Sequence, residues 1–458
     1  MSVETPSLNR RTLLTGAATA AAGAATAIGM ASPLAAAATA ASARRFPKGF
    51  LWGASTAGHQ IEGNNVNSDL WLMENIQPAT FKERSGDACD SYHRMDEDIA
   101  LLKAMGLNAY RFSIEWARIE PSRGHFSQAE LDHYKRFIAA LRRAGIAPVV
   151  TFYHVSAPRW FAEAGGWLNP ESPDLFARYC DRAARELAAG MAYACTINEP
   201  QVGLTYRSFA QSGDYFKKGD ELQERAHAAA AKATNVERFV TMNHPAIKEM
   251  TPQLMQAHEK GYAAIKAVRP DLPVGVTLNL VDFQPGNEGS KYKELREVAY
   301  GPWLACAKRA GDFIGVQTYR QIRIPGSGAP LPPPPEVPYV DQKDMVETIK
   351  QPTALRNTVE YVHEQTGKPI FVTENGIETP DDRRRVWHIP ATLKHLHEAI
   401  DKGVPVIGYM HWSLIDNFEW LAGFEMQFGL STLDHKTFKR TLKPSASVLG
   451  RIARANAV

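Results

Sequence analysis

The sequence has little cysteine, little net charge and, after its first 43 residues, no long apolar run. Its four cysteines are scattered without a Cys-x-x-Cys pair, and no group of cysteines and histidines has the spacing of zinc ligands. The formal net charge is +3 over 458 residues, and the one basic run, 383–385, follows two aspartates. We therefore expect no disulfide framework, no metal site, no nucleic-acid-binding surface and no membrane span in the mature chain.

The first 43 residues differ from the rest and resemble a twin-arginine export signal. Arg10 and Arg11 precede an alanine- and glycine-rich, weakly apolar stretch, and small residues accumulate up to Ala41-Ser42-Ala43. Such a signal is removed from the mature protein. An uncleaved membrane anchor is the alternative, since the stretch is long enough to span a bilayer, but it contains few strong hydrophobes. We expect 1–43 to be a signal peptide, 44–458 to be the folded domain, and the protein to reach the periplasm or the medium.

Short apolar runs of the kind that form buried parallel strands occur eight times along the remaining chain. They are Phe50–Ser55, Ala109–Ile114, Pro148–His154, Ala192–Asn198, Val274–Leu280, Phe313–Tyr319, Ile370–Glu374 and Val406–Trp412. Amphipathic stretches with helical periodicity lie between them. They are Glu97–Met105, Gln128–Ala144, Pro173–Ala189, Pro252–Val268 and Pro390–Lys402, with a further helical pattern at Gln223–Phe239.

This alternation predicts a single-domain α/β fold, a (β/α)8 TIM barrel with extended loops after its strands. Glycines such as Gly106 and Gly403 stand between a helical stretch and the next strand, where a left-handed residue ends a helix. A doubly wound open sheet is the competing architecture. It has no support, because no glycine-rich phosphate loop follows the first strand.

Two of the predicted strands end in a glutamate. Thr196-Ile197-Asn198-Glu199-Pro200 closes the fourth strand, and Thr373-Glu374-Asn375-Gly376 closes the seventh. In a barrel of this kind the functional groups gather at the carboxyl ends of the strands. Strands four and seven lie on opposite sides of the ring, so Glu199 and Glu374 can face each other. Two opposed carboxylates are what cleavage of a glycosidic bond needs, with retention or inversion according to their separation. Two ordinary strand-end glutamates are the alternative.

Five motifs, in order, make the chain similar to glycoside hydrolase family 1, the β-glucosidase family of retaining enzymes. They are residues 50–57 with 60–63, residues 110–116, 196–200 and 373–376, and the stretch 411–420. The resemblance runs from Phe46 to about Ala453. It implies Glu374 as the nucleophile and Glu199 as the acid/base. It also implies that Arg111 and Tyr319 hold down the pKa of the nucleophile, and that Asn198 binds the sugar 2-hydroxyl.

The same resemblance implies a set of substrate-binding residues and no cofactor. The set is Gln60, His154, Gln317, Trp412, Glu419 and Trp420. An anionic Glu419 would repel a sugar phosphate, so the expected partner is a small, unphosphorylated β-glycoside. By contrast, Trp52 and Trp116 are expected to pack in the core. The oligomeric state is not fixed by any pattern in the sequence.

Three positions depart from the family pattern and leave the substrate open. Val155 stands where the family usually has Trp, Gln201 where it often has Trp, and Gln317 where it has Asn. Val155 and Gln317 put a preference for glucose in doubt, and Gln201 is expected to alter the leaving-group side. A long connection, Gln201–Pro273, and the proline-rich segment Pro330–Pro338 should border the mouth of the site. We expect an exo-acting retaining β-glycosidase, with a transglycosidase, a sugar-binding pseudoenzyme or an endo-acting cellulase as alternatives.

Overall fold

The computed structural model describes residues 44–209, 213–326, 348–349 and 351–458. The expected signal peptide and the segment Pro330–Pro338 therefore lie outside the described residues. From residue 44 onward the described chain forms one compact unit.

Eight parallel strands close into a barrel, which confirms the predicted fold. They are β1 (Leu51–Ser55), β2 (Ala109–Ser113), β3 (Ala147–Tyr153), β4 (Tyr193–Asn198), β5 (Val274–Asn279), β6 (Phe313–Thr318), β7 (Ile370–Asn375) and β8 (Val406–Trp412). Each strand pairs with the next, and β1 pairs with β8 in the register Leu51 to Gly408. Every predicted apolar run forms its strand, because a strand buried on both faces reads as a continuous apolar run.

Each strand is followed by a long helix that precedes the next strand or the end of the chain. These helices are α1 (Met95–Met105), α2 (Gln128–Arg143), α3 (Ser172–Leu187), α4 (Ile247–Val268), α5 (Tyr292–Arg309), α6 (Thr353–Thr366), α7 (Asp382–Asp401) and α8 (Pro444–Ala455). As predicted, α1 ends at Gly106, whose φ of 75° is left-handed and whose N–H donates to the carbonyls of Leu102 and Lys103.

Two helices begin earlier than the sequence predicts, since each predicted helical stretch starts at a proline. Pro252 lies inside α4 and Pro390 lies inside α7. In α4 the turn before the proline is kept by burial of Ile247 and Met250. In α7 the side chain of Asp381 caps the start by accepting from the N–H of Arg383 at 3.1 Å. Packing and capping outweigh the loss of one backbone donor.

Further elements occupy the loops, and all are short except a 22-residue helix in the connection after β4. The helices are Gly58–Ile61, Asp69–Asn75, Trp116–Ile119, Arg159–Glu163, Val202–Phe209 and Gly213–Thr234, and the 3-10 turns are Gly166–Leu168, Ala188–Gly190 and Trp420–Ala422. Strands Asp282–Pro285, Gln321–Ile324 and Thr348–Ile349 form one small sheet, and Ser431–Leu433 pairs with Arg440–Leu442. The helix predicted at 223–239 is thus Gly213–Thr234, and it ends at Asn235, whose φ is left-handed at 55°.

Side chains from six strands fill the barrel interior, so it is a packed core rather than a channel. They are Ala109, Val149, Cys195, Phe313, Phe371 and Met410. The expected core positions of Trp52 and Trp116 are confirmed, since both are buried. Within the described residues, no helix is both long and apolar enough to cross a bilayer.

Candidate active site

A cavity of about 550 Å³ opens at the carboxyl ends of the barrel strands. The residues that line it from the strand ends are His154, Val155, Asn198, Glu199, Asn279, Tyr319, Arg320, Glu374, Gly376 and Trp412. The segment after β8 adds Glu419, Trp420, Leu421 and Ala422, and loops add Val202, Asn243, Ile377, Glu378, Met426 and Phe428. Val202 and Asn243 belong to the long connection after β4, so that connection borders the mouth as expected. Glu199 and Glu374 thus share one cavity.

Glu374 is held by two donors, one to each of its carboxylate oxygens. Arg111 Nη1 lies 2.6 Å from its Oε1, and the hydroxyl of Tyr319 donates to its Oε2. Burial raises the pKa of Glu374, while Arg111 and the Tyr319 hydroxyl act to lower that pKa. The family resemblance implies that Arg111 and Tyr319 hold this pKa down, and both act in that direction, but the desolvation of the buried carboxylate is the larger effect and the net shift is upward. The two donors still make Glu374 the better-stabilised anion of the two glutamates.

Asn198 is fixed by a group of donors directed at one oxygen. Its Oδ1 accepts from Arg111 Nη2 at 2.6 Å, from Gln317 Nε2 at 2.9 Å and from Thr277 Oγ1 at 3.0 Å. With Oδ1 committed to three donors, Nδ2 is the polar group that Asn198 can offer to a ligand in the cavity. Arg111 and Gln317 are fully buried behind the lining and reach the cavity through Asn198 and Glu374.

Glu199 has a different environment. Its Oε1 accepts from Asn279 Nδ2 at 2.8 Å, and no cation contacts it directly among the described residues. Burial raises its pKa to about 8, and the negative charge of Glu374 is the second cause. The φ of Glu199 is 44°, in the left-handed region that a residue with a side chain adopts only where its surroundings hold it.

Four of the predicted sugar-binding residues form one wall of the cavity, namely His154, Trp412, Glu419 and Trp420. Glu419 accepts from Trp412 Nε1 at 3.1 Å and from Gln60 Nε2 at 3.4 Å, and burial raises its pKa to about 8. His154 stacks on Trp412 and on Trp420, with 5.9 Å between ring centroids in each pair. Burial, with Arg111 nearby, lowers the pKa of His154 well below its ordinary value, so its imidazole is neutral.

The family model for glycosyl hydrolase family 1 matches residues 42–313 and 308–458. The chain belongs to glycosyl hydrolase family 1. It is therefore a glycoside hydrolase, and the predicted retaining β-glycosidase is confirmed, with neither transfer nor loss of activity favoured. In the part of the chain that the structure describes, no group of three or more His, Cys, Asp or Glu side chains is placed to hold a metal ion.

Relatives of this family 1 chain match it over nearly their whole length. Beta-glucosidase A of Acetivibrio thermocellus is 28% identical over 460 residues, which cover 87% of this chain and 96% of that protein. The apo structure of a beta-glucosidase 1317 is 41% identical, has a TM-score of 0.82 and covers 89% of this chain and 98% of its own. The crystal structure of beta-glycosidase BGL167 is 41% identical and has a TM-score of 0.81. It covers 90% of this chain and 98% of its own.

The structure places Gln201 differently from the expectation for this family 1 chain. Gln201 is fully buried, does not line the cavity, and donates from Nε2 to the backbone oxygen of Asn279 at 2.8 Å. It therefore contacts β5 rather than a leaving group. Val155 does line the cavity, with a left-handed φ of 70°.

Gln60 also lies behind the lining, since its amide donates to the carbonyl of Phe418 at 2.7 Å and to Asn417 Oδ1 at 3.0 Å. Asn279, which contacts Glu199 directly, is not among the residues predicted from the sequence. The signal that could have found it is its place as the last, polar residue of an apolar strand, the same position that Asn198 occupies on β4.

Proposed function

We propose that Glu374 is the nucleophile and Glu199 the general acid/base of an exo-acting, retaining β-glycosidase. The observation that carries this assignment is the asymmetry of the pair. Arg111 and Tyr319 both donate to Glu374, whereas a single neutral amide, Asn279, donates to Glu199. A nucleophile must be ionised and an acid must carry a proton, and this environment favours the two states on the two residues.

The reaction follows from those states. The Glu374 carboxylate attacks the anomeric carbon, the bond to the leaving oxygen breaks, and the proton of Glu199 passes to that oxygen. Esterification removes the charge of Glu374, which is one cause of the raised pKa of Glu199, so that Glu199 becomes more acidic. As a carboxylate it then accepts a proton from water, whose oxygen attacks the anomeric carbon and releases Glu374.

The glycone is proposed to lie against the wall formed by His154, Trp412, Glu419 and Trp420, with Asn198 Nδ2 at the 2-hydroxyl. Aromatic rings suit the apolar face of a sugar, and the Glu419 carboxyl suits its hydroxyl groups. A phosphate at this place would be buried beside a carboxyl whose side-chain partners are Trp412 and Gln60, with no cation hydrogen-bonded to it among the described residues, so the substrates are unphosphorylated β-glycosides. An aryl β-glucoside should be cleaved at least about 10²-fold faster than its 6-phosphate, a difference that electrostatic and hydrogen-bond mismatch can supply.

Azide rescue separates the two roles. With 2,4-dinitrophenyl β-glucoside, Glu374→Ala plus azide should give the α-glucosyl azide, because azide replaces the missing nucleophile on the face opposite the leaving group. Glu199→Ala plus azide should give the β-glucosyl azide, because azide attacks the intermediate formed on Glu374. Exchanged products would reverse the two assignments, and unaltered hydrolysis by either variant would refute them. Adding an alcohol acceptor to the wild type measures how much glycosyl transfer accompanies hydrolysis.

We also propose that residues 1–43 export the folded enzyme through the twin-arginine route. The support is the Arg10-Arg11 pair before a weakly apolar, small-residue stretch. Changing both arginines to lysine should retain β-glycosidase activity in the cytoplasm of the expressing cells, while wild-type activity appears outside it. Equal export of the two forms would contradict the proposal.

A further inference from the structure

The end of β4 meets the end of β5 at an irregularity in the strand pairing, where side-chain contacts add to the backbone hydrogen bonds. The pairing of β4 with β5 is irregular between Cys195 and Asn198, just before Glu199. Glu199 then takes its left-handed φ of 44°. A backbone of this kind persists where neighbouring groups over-determine it.

The N–H of Glu199 donates to the carbonyl of Thr277 at 2.9 Å, and two side-chain contacts add to this restraint. Gln201 Nε2 donates to the backbone oxygen of Asn279 at 2.8 Å, and Asn279 Nδ2 donates to Glu199 Oε1 at 2.8 Å. Gln201 is fully buried and Asn279 is 6% exposed, so the amide groups have no bulk water to compete for them. The two hydrogen bonds therefore link Gln201 to Asn279 and Asn279 to Glu199. This series begins and ends on the same loop, the one after β4.

We propose that Asn279 is the positioning residue of the acid/base and that Gln201 fixes Asn279 in place. This inference rests on the proposed role of Glu199. An amide N–H directed at Oε1 requires a lone pair there, so Oε1 is the acceptor oxygen of the protonated carboxyl and Oε2 carries the proton. Asn279 thus selects the oxygen from which the leaving group receives its proton. After transfer, the same N–H stabilises the carboxylate that activates water.

The charge effect has a definite sign. A donor to the carboxylate form lowers the pKa of that carboxyl, so removing Asn279 raises the pKa of Glu199 further. The other groups that influence Glu199 are Glu374, Glu419 and Arg111. Tyr319, His154, Arg320 and Glu378 line the same cavity. None of these is altered by a substitution at 279 or 201, so a shift can be attributed to the amide.

The test compares Asn279→Ala, Asn279→Ser and Gln201→Leu with wild type on phenyl and 2,4-dinitrophenyl β-glucosides. Phenoxide needs protonation to leave, whereas dinitrophenoxide does not. We expect kcat/KM of Asn279→Ala to fall about tenfold more on the phenyl substrate, and the basic limb of its pH profile to move up by about one pH unit. Gln201→Leu should change both readouts in the same directions by less. Gln351→Leu, which removes the amide of another buried glutamine outside the cavity lining, should move neither.

Equal losses on the two substrates with an unmoved basic limb, in variants that melt like folded protein, would overturn the positioning role. Asn279→Ser and Gln201→Leu keep the test available should Asn279→Ala fail to fold. Glu199→Ala, assayed alongside, separates this failure from failure of the proposed function. If Glu199→Ala itself shows no preference for the better leaving group, the acid/base assignment is wrong. If it does and the Asn279 variants do not, only the present inference fails.

Discussion

Arg111 and Glu374 form a buried ion pair, with 2.6 Å between Nη1 and Oε1 and side-chain exposures of 0% and 5%. The other nitrogen of the same guanidinium, Nη2, contacts Asn198. The planar guanidinium of Arg111, on β2, therefore positions both the proposed nucleophile Glu374 on β7 and Asn198, the residue before Glu199, on β4. Removing one member of such a pair leaves an uncompensated charge in the interior.

Arg111→Lys should lower kcat/KM about 10²-fold or more, because an ammonium group keeps the charge but cannot contact Glu374 and Asn198 at once. Weaker stabilisation of the Glu374 carboxylate raises the pKa of that carboxyl. The acidic limb of the pH–kcat/KM profile, which reports ionisation of the nucleophile, should therefore move to higher pH.

Arg385→Lys is the matched control for this substitution. Arg385 is also fully buried, but it binds Asp382 and the carbonyls of Thr379 and Gln427, and does not line the cavity. This variant should lose thermal stability and leave the acidic limb in place. An acidic limb that does not move in Arg111→Lys would show that Arg111 does not set the ionisation of Glu374.

The strands and the two glutamates could be predicted because their signals are local. A strand buried on both faces is a continuous apolar run, and a glutamate that ends such a run stands out. The helix boundaries could not be predicted from Pro252 and Pro390. What keeps the turn before each proline is burial of Ile247 and Met250 in one case and the Asp381 cap in the other. This burial and this cap form only in the folded chain, so the sequence pattern does not reveal them.

The place of Gln201 could not be predicted for a related reason. Sequence order puts it two residues after Glu199, which suggests a shared site. The left-handed φ at Glu199 turns the chain, and the Gln201 side chain ends against the β5 backbone. Similarly, the direction of the pKa shift on Glu374 depends on how far burial outweighs two donors, and a motif does not record burial.

Glu419 should make stability depend on pH in a definite direction. Its folded pKa of about 8 lies above the ordinary value of 4.5, so the folded state binds a proton that the unfolded state has lost. The contribution is fully present below pH 4.5 and is lost as the pH rises through 8. Glu419→Gln cannot ionise, so its melting temperature relative to wild type should rise by a few degrees between about pH 5 and pH 9.

Glu237→Gln, an exposed glutamate outside this cavity, should show no such change in relative melting temperature. A constant difference between Glu419→Gln and wild type across this pH range would mean that Glu419 ionises alike in both states.

Gly376→Ala should displace part of the wall against which the glycone is proposed to lie, the one formed by His154, Trp412, Glu419 and Trp420. A Cβ at Gly376 would lie much closer to the carbonyl oxygen of Trp412 than van der Waals contact allows, so either the end of β7 or Trp412 must move. A displacement of about 1 Å at a substrate contact can cost up to 10²-fold in rate, and we expect KM for an aryl β-glucoside to rise. Gly219→Ala is the control, because a Cβ there meets nothing within 4 Å and the residue lies in the helix Gly213–Thr234. Wild-type KM in Gly376→Ala would mean that the wall tolerates the shift.

Asn456, near the C-terminus, connects the end of the chain to the segment that begins the barrel, away from the cavity. Its Oδ1 accepts from the buried indole of Trp52 at 2.9 Å, its Nδ2 donates to the carbonyl of Phe46 at 2.8 Å, and its φ is left-handed at 48°. Asn456→Ala should cost about 2–4 kcal/mol, since it leaves a buried N–H unpaired and puts alanine in a left-handed conformation. Asn456→Gly removes the same hydrogen bonds without that backbone cost, so it should melt higher than Asn456→Ala. Both should keep wild-type kcat/KM, because Trp52 lies near the start of β1, at the end of the barrel opposite the site. Equal melting temperatures of Asn456→Ala and Asn456→Gly would mean that the loss of stability comes from the side-chain hydrogen bonds alone.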